Sequence, residues 1–266
     1  MEKIRLISLS LFNIKKQIKC KCSGLHEICL DCEKCHIVNG IQTVSDFNNL
    51  NTYIDHTSLR PDTTNADIIR LNNEALIYKF KSICINPTNV KYAISLESKT
   101  KVCSVIGFPL GANTWRTKMY EAKECIELGA SELDIVIDIG AFKAKEYLKI
   151  FNDLKILKKY CENRKVVLKA IIESCLLSED EIIIISLIVK KAGFDFVKTS
   201  TGFGIKGAEF DTVRLIRDTL GPYMGVKASG GIKNRHELIK MLQAGANRIG
   251  TSNSVNIMEE TPFEFS

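Results

Sequence analysis

The stretch Phe194-Asp-Phe-Val-Lys198-Thr-Ser-Thr-Gly-Phe-Gly204 carries a short apolar run that ends in a lysine and passes directly into a polar turn with two glycines. The later stretch Met224-Gly-Val-Lys227-Ala-Ser-Gly-Gly231 has the same design. Such runs are typical of buried parallel strands that end in loops. Because a buried ammonium is costly unless it is paired or functional, these two lysines are the first candidates for a functional site.

Apolar runs alternate with helical patterns along the chain from residue 50 onward. Asp62 or Thr63 is expected to cap the first helix, and Ser178 and Glu181 are spaced as a capping box. The predicted strands are residues 52–55, 82–85, 102–106, 133–137, 166–172, 194–198, 225–228 and 248–250. The predicted helices are residues 62–78, a segment after residue 87 up to 97, and residues 113–128, 143–160, 178–192, 210–220 and 234–244.

Eight strands that alternate with helices in one chain predict an α/β fold of the (β/α)8 or TIM-barrel type. Most of the predicted strands are near-continuous apolar runs, as expected when both faces of a parallel sheet are covered. A doubly wound sheet is the alternative, but no G-x-G-x-x-G turn follows the first predicted strand. In a barrel, the C-terminal ends of the strands face the active site, so chemistry is expected there.

The bulk properties narrow the class of partner. The chain has 266 residues, 45% of them hydrophobic, and a formal net charge of +6. The basic residues are spread along the chain, which does not indicate a nucleic-acid partner, and no apolar run is long enough for a membrane span. A phosphorylated small molecule would account for the mild positive excess. Residues 2–12 lack a continuous apolar core, so we expect a cytoplasmic location, with an organellar presequence as the alternative.

Residues 1–48 differ in pattern from the rest, and we interpret them as an irregular, Cys-containing extension before a barrel domain of residues 49–266. Paired C-x-x-C spacing near His36 would suit zinc, and the run from Cys32 to His36 also matches a c-type haem attachment pattern. No second C-x-x-C pair follows at the spacing of a zinc ribbon, so an extension without a role in the chemistry is favoured. Five of the ten cysteines lie here, namely Cys20, Cys22, Cys29, Cys32 and Cys35.

Ionisable residues fall within or at the ends of consecutive predicted strands: Asp134, Lys169, Lys198 and Lys227, with Asp55 at the end of the first strand. A single buried lysine could form a structural ion pair. Three lysines in neighbouring strands around one carboxylate favour catalysis, because burying so many charges is costly without pairing or function.

Amine catalysis fits this pattern. A lysine with the ordinary pKa of about 10.4 is protonated at neutral pH and cannot attack a carbonyl carbon. Desolvation and a second ammonium lower such a pKa, which predicts Lys198 as a Schiff-base nucleophile and Lys227 as the neighbouring cation. Asp134 would relay protons through water, and Lys169 would keep Asp134 ionised. This chemistry requires neither a metal nor another cofactor.

The loops after the sixth, seventh and eighth predicted strands resemble a phosphate-binding cradle. They are residues 199–202, 229–233 and 250–253, and they offer backbone amides and hydroxyl groups. Gly230 and Gly231 precede a predicted helix, whose N-terminus would favour an anion. Barrels often bind phosphate at these loops, which strengthens an otherwise weak signal.

The strand-end motifs occur in one order along residues 50–257. They are Tyr53-Ile-Asp-His-Thr57, Arg60-Pro61, Ile85-Asn-Pro87, Val105-Ile-Gly-Phe-Pro-Leu-Gly-Ala112, Gly129-Ala-Ser-Glu-Leu-Asp134, Phe196-Val-Lys-Thr-Ser-Thr-Gly-Phe203 and Val226-Lys-Ala-Ser-Gly-Gly-Ile232. With them the chain resembles the deoxyribose-phosphate aldolase family. The resemblance implies a class I aldolase of deoxyribonucleotide catabolism. It would reversibly cleave 2-deoxy-D-ribose 5-phosphate to D-glyceraldehyde 3-phosphate and acetaldehyde, without a metal.

The resemblance also implies roles for individual residues. The imine lysine falls on Lys198, the second catalytic lysine on Lys227 and the relay aspartate on Asp134. The implied substrate-binding positions are Asp55, Thr57, Lys169, Gly202, Gly230, Gly231, Gly250 and Ser252. Three positions depart from the usual pattern of the family, namely Arg60 for lysine, Asp138 for asparagine and Ser174 for threonine. Asp138 would either retune Asp134 or lie outside the pocket.

Two other functions are also consistent with the sequence. One is a different imine-forming barrel aldolase that acts on another phosphosugar, and another is a phosphosugar-binding protein that has lost catalysis. We interpret His56 as a hydrogen-bonded structural residue rather than an acid–base catalyst, and Cys84 as a packing residue. Because exposed barrel helices commonly pair, we expect a homodimer.

Overall fold

Eight parallel strands close into a barrel in sequence order in the computed structural model of this protein, which describes residues 49–260. Closure is completed by pairing of the first strand with the eighth, where His56 lies opposite Thr251. The predicted TIM barrel is therefore confirmed, whereas the extension predicted for residues 1–48 lies outside the described residues. The strands are β1 Ile54–Ser58, β2 Ser82–Ile85, β3 Val102–Ile106, β4 Glu132–Val136, β5 Val167–Ile171, β6 Phe196–Lys198, β7 Gly225–Ser229 and β8 Arg248–Thr251.

Helices follow the strands and cover the outside of the barrel. Almost every strand residue is buried, because inward side chains fill the barrel and outward ones pack against the helices. Among residues 49–260, none of the helices has the length and hydropathy needed to cross a bilayer. The helices are α1 Asn65–Tyr78, α2 Val90–Ser95, α3 Trp115–Glu127, α4 Ile139–Lys143, α5 Tyr147–Cys161, α6 Glu179–Ala192, α7 Phe210–Leu220, α8 Arg235–Gln243 and α9 Ser254–Glu259.

The first strand lies further along the chain than the sequence predicted. Residues Leu50–Tyr53 form a 3-10 turn, and β1 starts only at Ile54. Pairing with both neighbours explains the shift, since Asp55 lies opposite Ser82 on one side and opposite Gly250 on the other. Asp55 is therefore the second residue of its strand rather than the last, which places it deep in the barrel.

The caps of two helices test the local sequence signals. The capping box of Ser178 and Glu181 at α6 is confirmed. The predicted cap of α1 is wrong, because Thr64 and Asp67 form the capping box there. Asp62 is instead engaged by Arg60 as an exposed ion pair, so its carboxylate is not available to the helix.

The helix predicted for residues 143–160 begins later in the structure, and a short helix that was not predicted precedes it. The short helix α4 ends at Lys143, and Lys145 adopts a positive φ of 62° before α5 begins at Tyr147. Asp138 caps α4, accepting a hydrogen bond from the Ala141 amide at 3.0 Å. The sequence pattern therefore missed α4 and placed the start of α5 four residues too early.

Loss of the observed cap is expected to cost more stability than loss of the predicted one. Thr64→Ala should lower the free energy of unfolding by about 1 kcal/mol, because an orphan amide of α1 loses its acceptor. Asp62→Ala should change it by less than about 0.5 kcal/mol, because exposed ion pairs contribute little. Urea unfolding of both variants tests this, and equal effects would contradict the assignment of Thr64 as the cap.

Candidate active site

A cluster of charged side chains lies inside the barrel and is almost inaccessible to solvent. Its exposed fractions range from 0% for Asp134 and Lys169 to 4% for Arg248. Strand register brings the charges together, since Asp134 on β4 lies opposite Lys169 on β5, and Lys198 on β6 lies opposite Lys227 on β7. The members of the cluster are Asp55, Glu132, Asp134, Lys169, Lys198, Lys227 and Arg248.

Asp134 is the centre of this cluster. Its Oδ1 accepts a hydrogen bond from Lys169 Nζ at 2.8 Å. Its Oδ2 accepts from Lys198 Nζ at 2.9 Å and from Lys227 Nζ at 2.7 Å. Burial would raise the pKa of Asp134, but the three ammonium groups outweigh burial and hold that pKa well below its usual range. The structure thus brings together the four strand-end residues that the sequence selected.

Lys227 and Lys169 are held as ammonium ions by more than one carboxylate. Lys227 Nζ lies 2.5 Å from Asp55 Oδ2 as well as contacting Asp134. Lys169 Nζ lies 2.6 Å from Glu132 Oε2. Burial would lower the pKa of each lysine, but the carboxylates raise both. Both side chains therefore stay charged in the range where enzymes work.

Glu132 and Arg248 were not selected from the sequence, although both belong to the cluster. Arg248 Nη1 donates to Asp55 Oδ1 at 2.6 Å and lies 3.1 Å from Glu132 Oε2. A signal was present, since Glu132 and Asp134 are two residues apart on one strand and so point to the same face. Arg248 had been treated only as the start of the eighth strand. Its charge is what lowers the pKa of Asp55, together with Lys227, against the effect of burial.

An open cavity of about 700 Å³ lies at the C-terminal end of the barrel. Of the seven cluster residues, all within the described part of the chain, only Lys198 lines it. Asp55 and Lys169, expected at the substrate, lie in the deeper cluster instead. Other predicted positions do line the cavity, namely Thr57, Gly202, Gly230, Gly231, Gly250 and Ser252.

The loops on the predicted phosphate side are joined by close backbone contacts. Ser229 Oγ donates to the Ser200 carbonyl at 2.6 Å, and the Ala208 amide donates to the Gly230 carbonyl at 3.0 Å. A Cβ atom on Gly207 would lie 2.1 Å from the Gly230 carbonyl oxygen, so only glycine fits there. The backbone of the cradle is therefore fixed by contacts that a larger residue would break.

The helix after Gly231 does not offer the anion site that the sequence suggested. It begins at Arg235, and its cap Asn234 accepts from the Glu237 amide at 2.8 Å. The Glu237 carboxylate accepts from the Lys233 amide at 2.6 Å. A carboxylate already occupies this N-terminus, whereas the loop glycines, Ser252 and the cations Arg60 and Lys233 line the open cavity.

Asp138 lies away from the charged cluster. Besides capping α4, it pairs with Lys149 Nζ at 2.8 Å on a partly exposed surface. It does not line the cavity, and it is not among the charges that shift the pKa of Asp134. Of the two alternatives drawn from the sequence, the structure therefore supports a position outside the pocket.

One group in the described chain has the spacing of a metal site, namely Cys84, Cys103 and Asp134, whose candidate ligand atoms lie within 4.8 Å of one another. The same Asp134 oxygens already accept bonds from three lysines. A divalent cation here would lie beside three ammonium groups, so this donor set does not fit a metal ion. Cys84 is fully buried, as expected for a packing residue.

Comparison with known proteins agrees with this geometry. The model of the DeoC/LacD family aldolases matches residues 50–254. The deoxyribose-phosphate aldolase of Thermococcus kodakarensis is 49% identical over 216 residues, which are 80% of this chain and 96% of that protein. The deoxyribose-phosphate aldolase of Clostridium perfringens strain SM101 is 50% identical over 208 residues, which are 77% of this chain and 92% of that protein.

A solved structure gives the same result for the fold. The deoxyribose phosphate aldolase of Aeropyrum pernix, described as a unique tetramer, has a TM-score of 0.76 and 33% identity, and the match covers 83% of this chain and 94% of that one. The resemblance seen in the strand-end motifs is thereby confirmed. The chain belongs to the DeoC/LacD family of aldolases.

Proposed function

We propose that this protein is a class I aldolase that reversibly cleaves 2-deoxy-D-ribose 5-phosphate to D-glyceraldehyde 3-phosphate and acetaldehyde. The observation that carries the proposal is the pair of lysines, Lys198 and Lys227, on one oxygen of the buried Asp134 beneath an open cavity. The names of the relatives supply the substrate. The pathway would be the catabolism of deoxyribose phosphate.

Charge balance supports Lys198 as the nucleophile. The cluster contains three carboxylates and four cationic side chains, so it carries one excess positive charge when every group is ionised. Loss of one proton balances it. Lys198 has one carboxylate partner, Asp134, whereas Lys227 has two. Lys198 therefore has fewer carboxylate partners than Lys227, and it is the cluster residue that faces the cavity.

The reaction follows from this arrangement. The neutral amine of Lys198 attacks the C1 aldehyde of the open-chain sugar, and loss of water forms an iminium ion. As the C3 hydroxyl loses its proton, the C2–C3 bond breaks and its electron pair moves into the iminium, giving an enamine and D-glyceraldehyde 3-phosphate. Protonation of C2 and hydrolysis then release acetaldehyde and the free lysine. The iminium accepts the electrons, so the steps need no metal or other cofactor.

Asp134 and Lys227 would handle the protons. Asp134 lies beneath Lys198 rather than in the cavity wall, so it exchanges protons with the substrate through water or through a neighbouring ammonium. Lys227 remains charged and competes with Lys198 for the same carboxylate oxygen. The deeper residues Asp55 and Lys169 keep these two groups in place through the contacts described above.

The phosphate would bind between the loops that follow β6, β7 and β8. Gly202, Gly230, Gly231 and Ser252 line the cavity, and their backbone amides and the serine hydroxyl would be the donors. Arg60 and Lys233 add positive charge at the rim. We further propose a homo-oligomer in the cytoplasm, with a dimer as the simplest assembly, and we note that the Aeropyrum relative is described as a tetramer.

Borohydride trapping tests the reaction class and the nucleophile together. With 2-deoxy-D-ribose 5-phosphate and borohydride, the protein should gain the mass of one reduced adduct, and peptide mapping should place it on Lys198. Lys198→Ala should show no adduct, because no amine remains at the cavity floor. Equal trapping by Lys198→Ala, or an adduct on Lys227, would contradict the assignment. Failure of the unmodified protein to release D-glyceraldehyde 3-phosphate would instead favour a binding protein.

Asp134→Asn should separate imine formation from turnover. The variant keeps Lys198, so trapping should persist, but kcat should fall by roughly 10²–10⁴ because the proton relay is lost. Asp138→Asn is the matched control, since the same change four residues later affects only the α4 cap and Lys149. It should retain the unmodified rate. A rate for Asp134→Asn close to that of the control would rule out the relay role.

Glu132→Gln tests the charge balance of the cluster. The change leaves Lys169 and Arg248 with one carboxylate fewer, so the free energy of unfolding should fall by about 3–5 kcal/mol, as for other broken buried pairs. Adding Arg248→Gln restores the balance and should recover part of the loss. Urea unfolding measures both, with the exposed Glu127→Gln as control. Additive losses in the double variant would show that the two residues act independently.

A further inference from the structure

His56 is a buried histidine that the proposed chemistry does not use. It lies on β1 with 3% of its surface exposed, and its ring packs 5.1 Å from the ring of Phe80. Both ring nitrogens are engaged, Nδ1 with Ser254 Oγ at 2.9 Å and Nε2 with Glu74 Oε2 at 2.6 Å. The ring is therefore fixed between α1 and the first residue of α9.

Ser254 links His56 to the end of β8. Its hydroxyl is fully buried and lies 3.0 Å from the Thr251 carbonyl oxygen, to which it donates. Glu74 fixes the ring of His56, and the ring fixes the serine hydroxyl, so the Thr251 carbonyl is held from outside the barrel.

Thr251 in turn joins two loops of the phosphate cradle. Its Oγ1 donates to the Ile232 carbonyl at 2.6 Å, which fixes the end of the Gly230-Gly231 loop. The same oxygen accepts from the Asn253 amide at 3.0 Å, which fixes the turn that presents Ser252. Ser252, Gly230 and Gly231 all line the cavity. Thr251 therefore joins the β7 loop to the β8 loop through two bonds, and Asn253 Nδ2 adds a longer one to the Lys233 carbonyl at 3.4 Å.

We propose that His56 and Ser254 are positioning residues for the phosphate end of the substrate. The chain of contacts His56–Ser254–Thr251 holds the two loops at the spacing that binds a phosphate monoester. It reaches neither Lys198 nor Asp134, so it acts on recognition of the phosphate and not on the imine chemistry. This inference rests on the proposed function for the location of the phosphate.

Two substitutions of His56 each keep one of its two hydrogen bonds and remove the other. An asparagine amide lies where Nδ1 was and can still bond Ser254, whereas a glutamine amide reaches toward Glu74 and leaves Ser254 without its partner. The comparison is between His56→Gln and His56→Asn. Ser254→Ala removes the same contact from the other side. Tyr78→Phe is the control, because it deletes a different bond between α1 and α9, the one from Tyr78 to Glu259.

The readout is selectivity between 2-deoxy-D-ribose 5-phosphate and unphosphorylated 2-deoxy-D-ribose. His56→Gln and Ser254→Ala should raise KM for the phosphorylated sugar by about tenfold, the equivalent of one hydrogen bond, and leave kcat/KM for the unphosphorylated sugar within about twofold. His56→Asn and Tyr78→Phe should keep the unmodified selectivity. Equal losses on both sugars in His56→Gln and Ser254→Ala would indicate a merely structural role and overturn the inference.

Binding of inorganic phosphate, measured by calorimetry, gives a second readout that does not depend on turnover. His56→Gln and Ser254→Ala should bind it about tenfold more weakly than the unmodified protein, and His56→Asn should bind it as the unmodified protein does. If the unmodified protein binds phosphate but does not cleave the sugar phosphate, the proposed function fails and this comparison still decides the role of His56. Phosphate binding by His56→Gln and Ser254→Ala that equals that of the unmodified protein would refute the positioning role of His56.

Discussion

The ion pairs of Asp134 are the interaction on which the rest of the structure depends. A carboxylate with no accessible surface is tolerable only because three ammonium groups surround it, and three buried ammonium groups are tolerable only because of the carboxylates. A closed barrel satisfies this requirement, because strands β4 to β7 deliver the four side chains to one place. The chemistry and the fold are therefore not independent features of this chain.

The site therefore has two layers that are stabilised by different interactions. The deeper layer consists of charged side chains that Glu132 and Arg248 hold in place, and it fixes the charge around Asp134. The upper layer consists of loop backbone, where glycines such as Gly207 allow neighbouring loops to approach each other closely. Lys198 is the cluster residue that touches both layers. An electrophile bound in the cavity would therefore meet Lys198 first among the cluster residues.

Much of the fold and part of the site could be predicted from sequence. Continuous apolar runs predicted the first and last residues of β2 and β3 correctly, and both strands are fully buried. The alternation of strands and helices predicted the barrel. Local pattern failed where tertiary contacts decide, as at β1, whose start is set by pairing with both β2 and β8. Arg248 was missed for the same reason, since its partner Asp55 is 193 residues away. The depth of Asp55 and Lys169 likewise depends on barrel register.

Strand β1 links the two ends of the proposed substrate. Successive residues of a strand point to opposite faces, so Asp55 points into the charged cluster, whereas His56 contacts Glu74 on α1 and Ser254 on α9. Both His56 and Thr57 line the cavity. Asp55 fixes Lys227 at the imine end, while His56 fixes Thr251 through Ser254 at the phosphate end. Any slip of β1 by one residue would exchange these faces and lose both contacts at once. The pairing that closes the barrel therefore also sets the distance between the proposed imine lysine and the proposed phosphate loops.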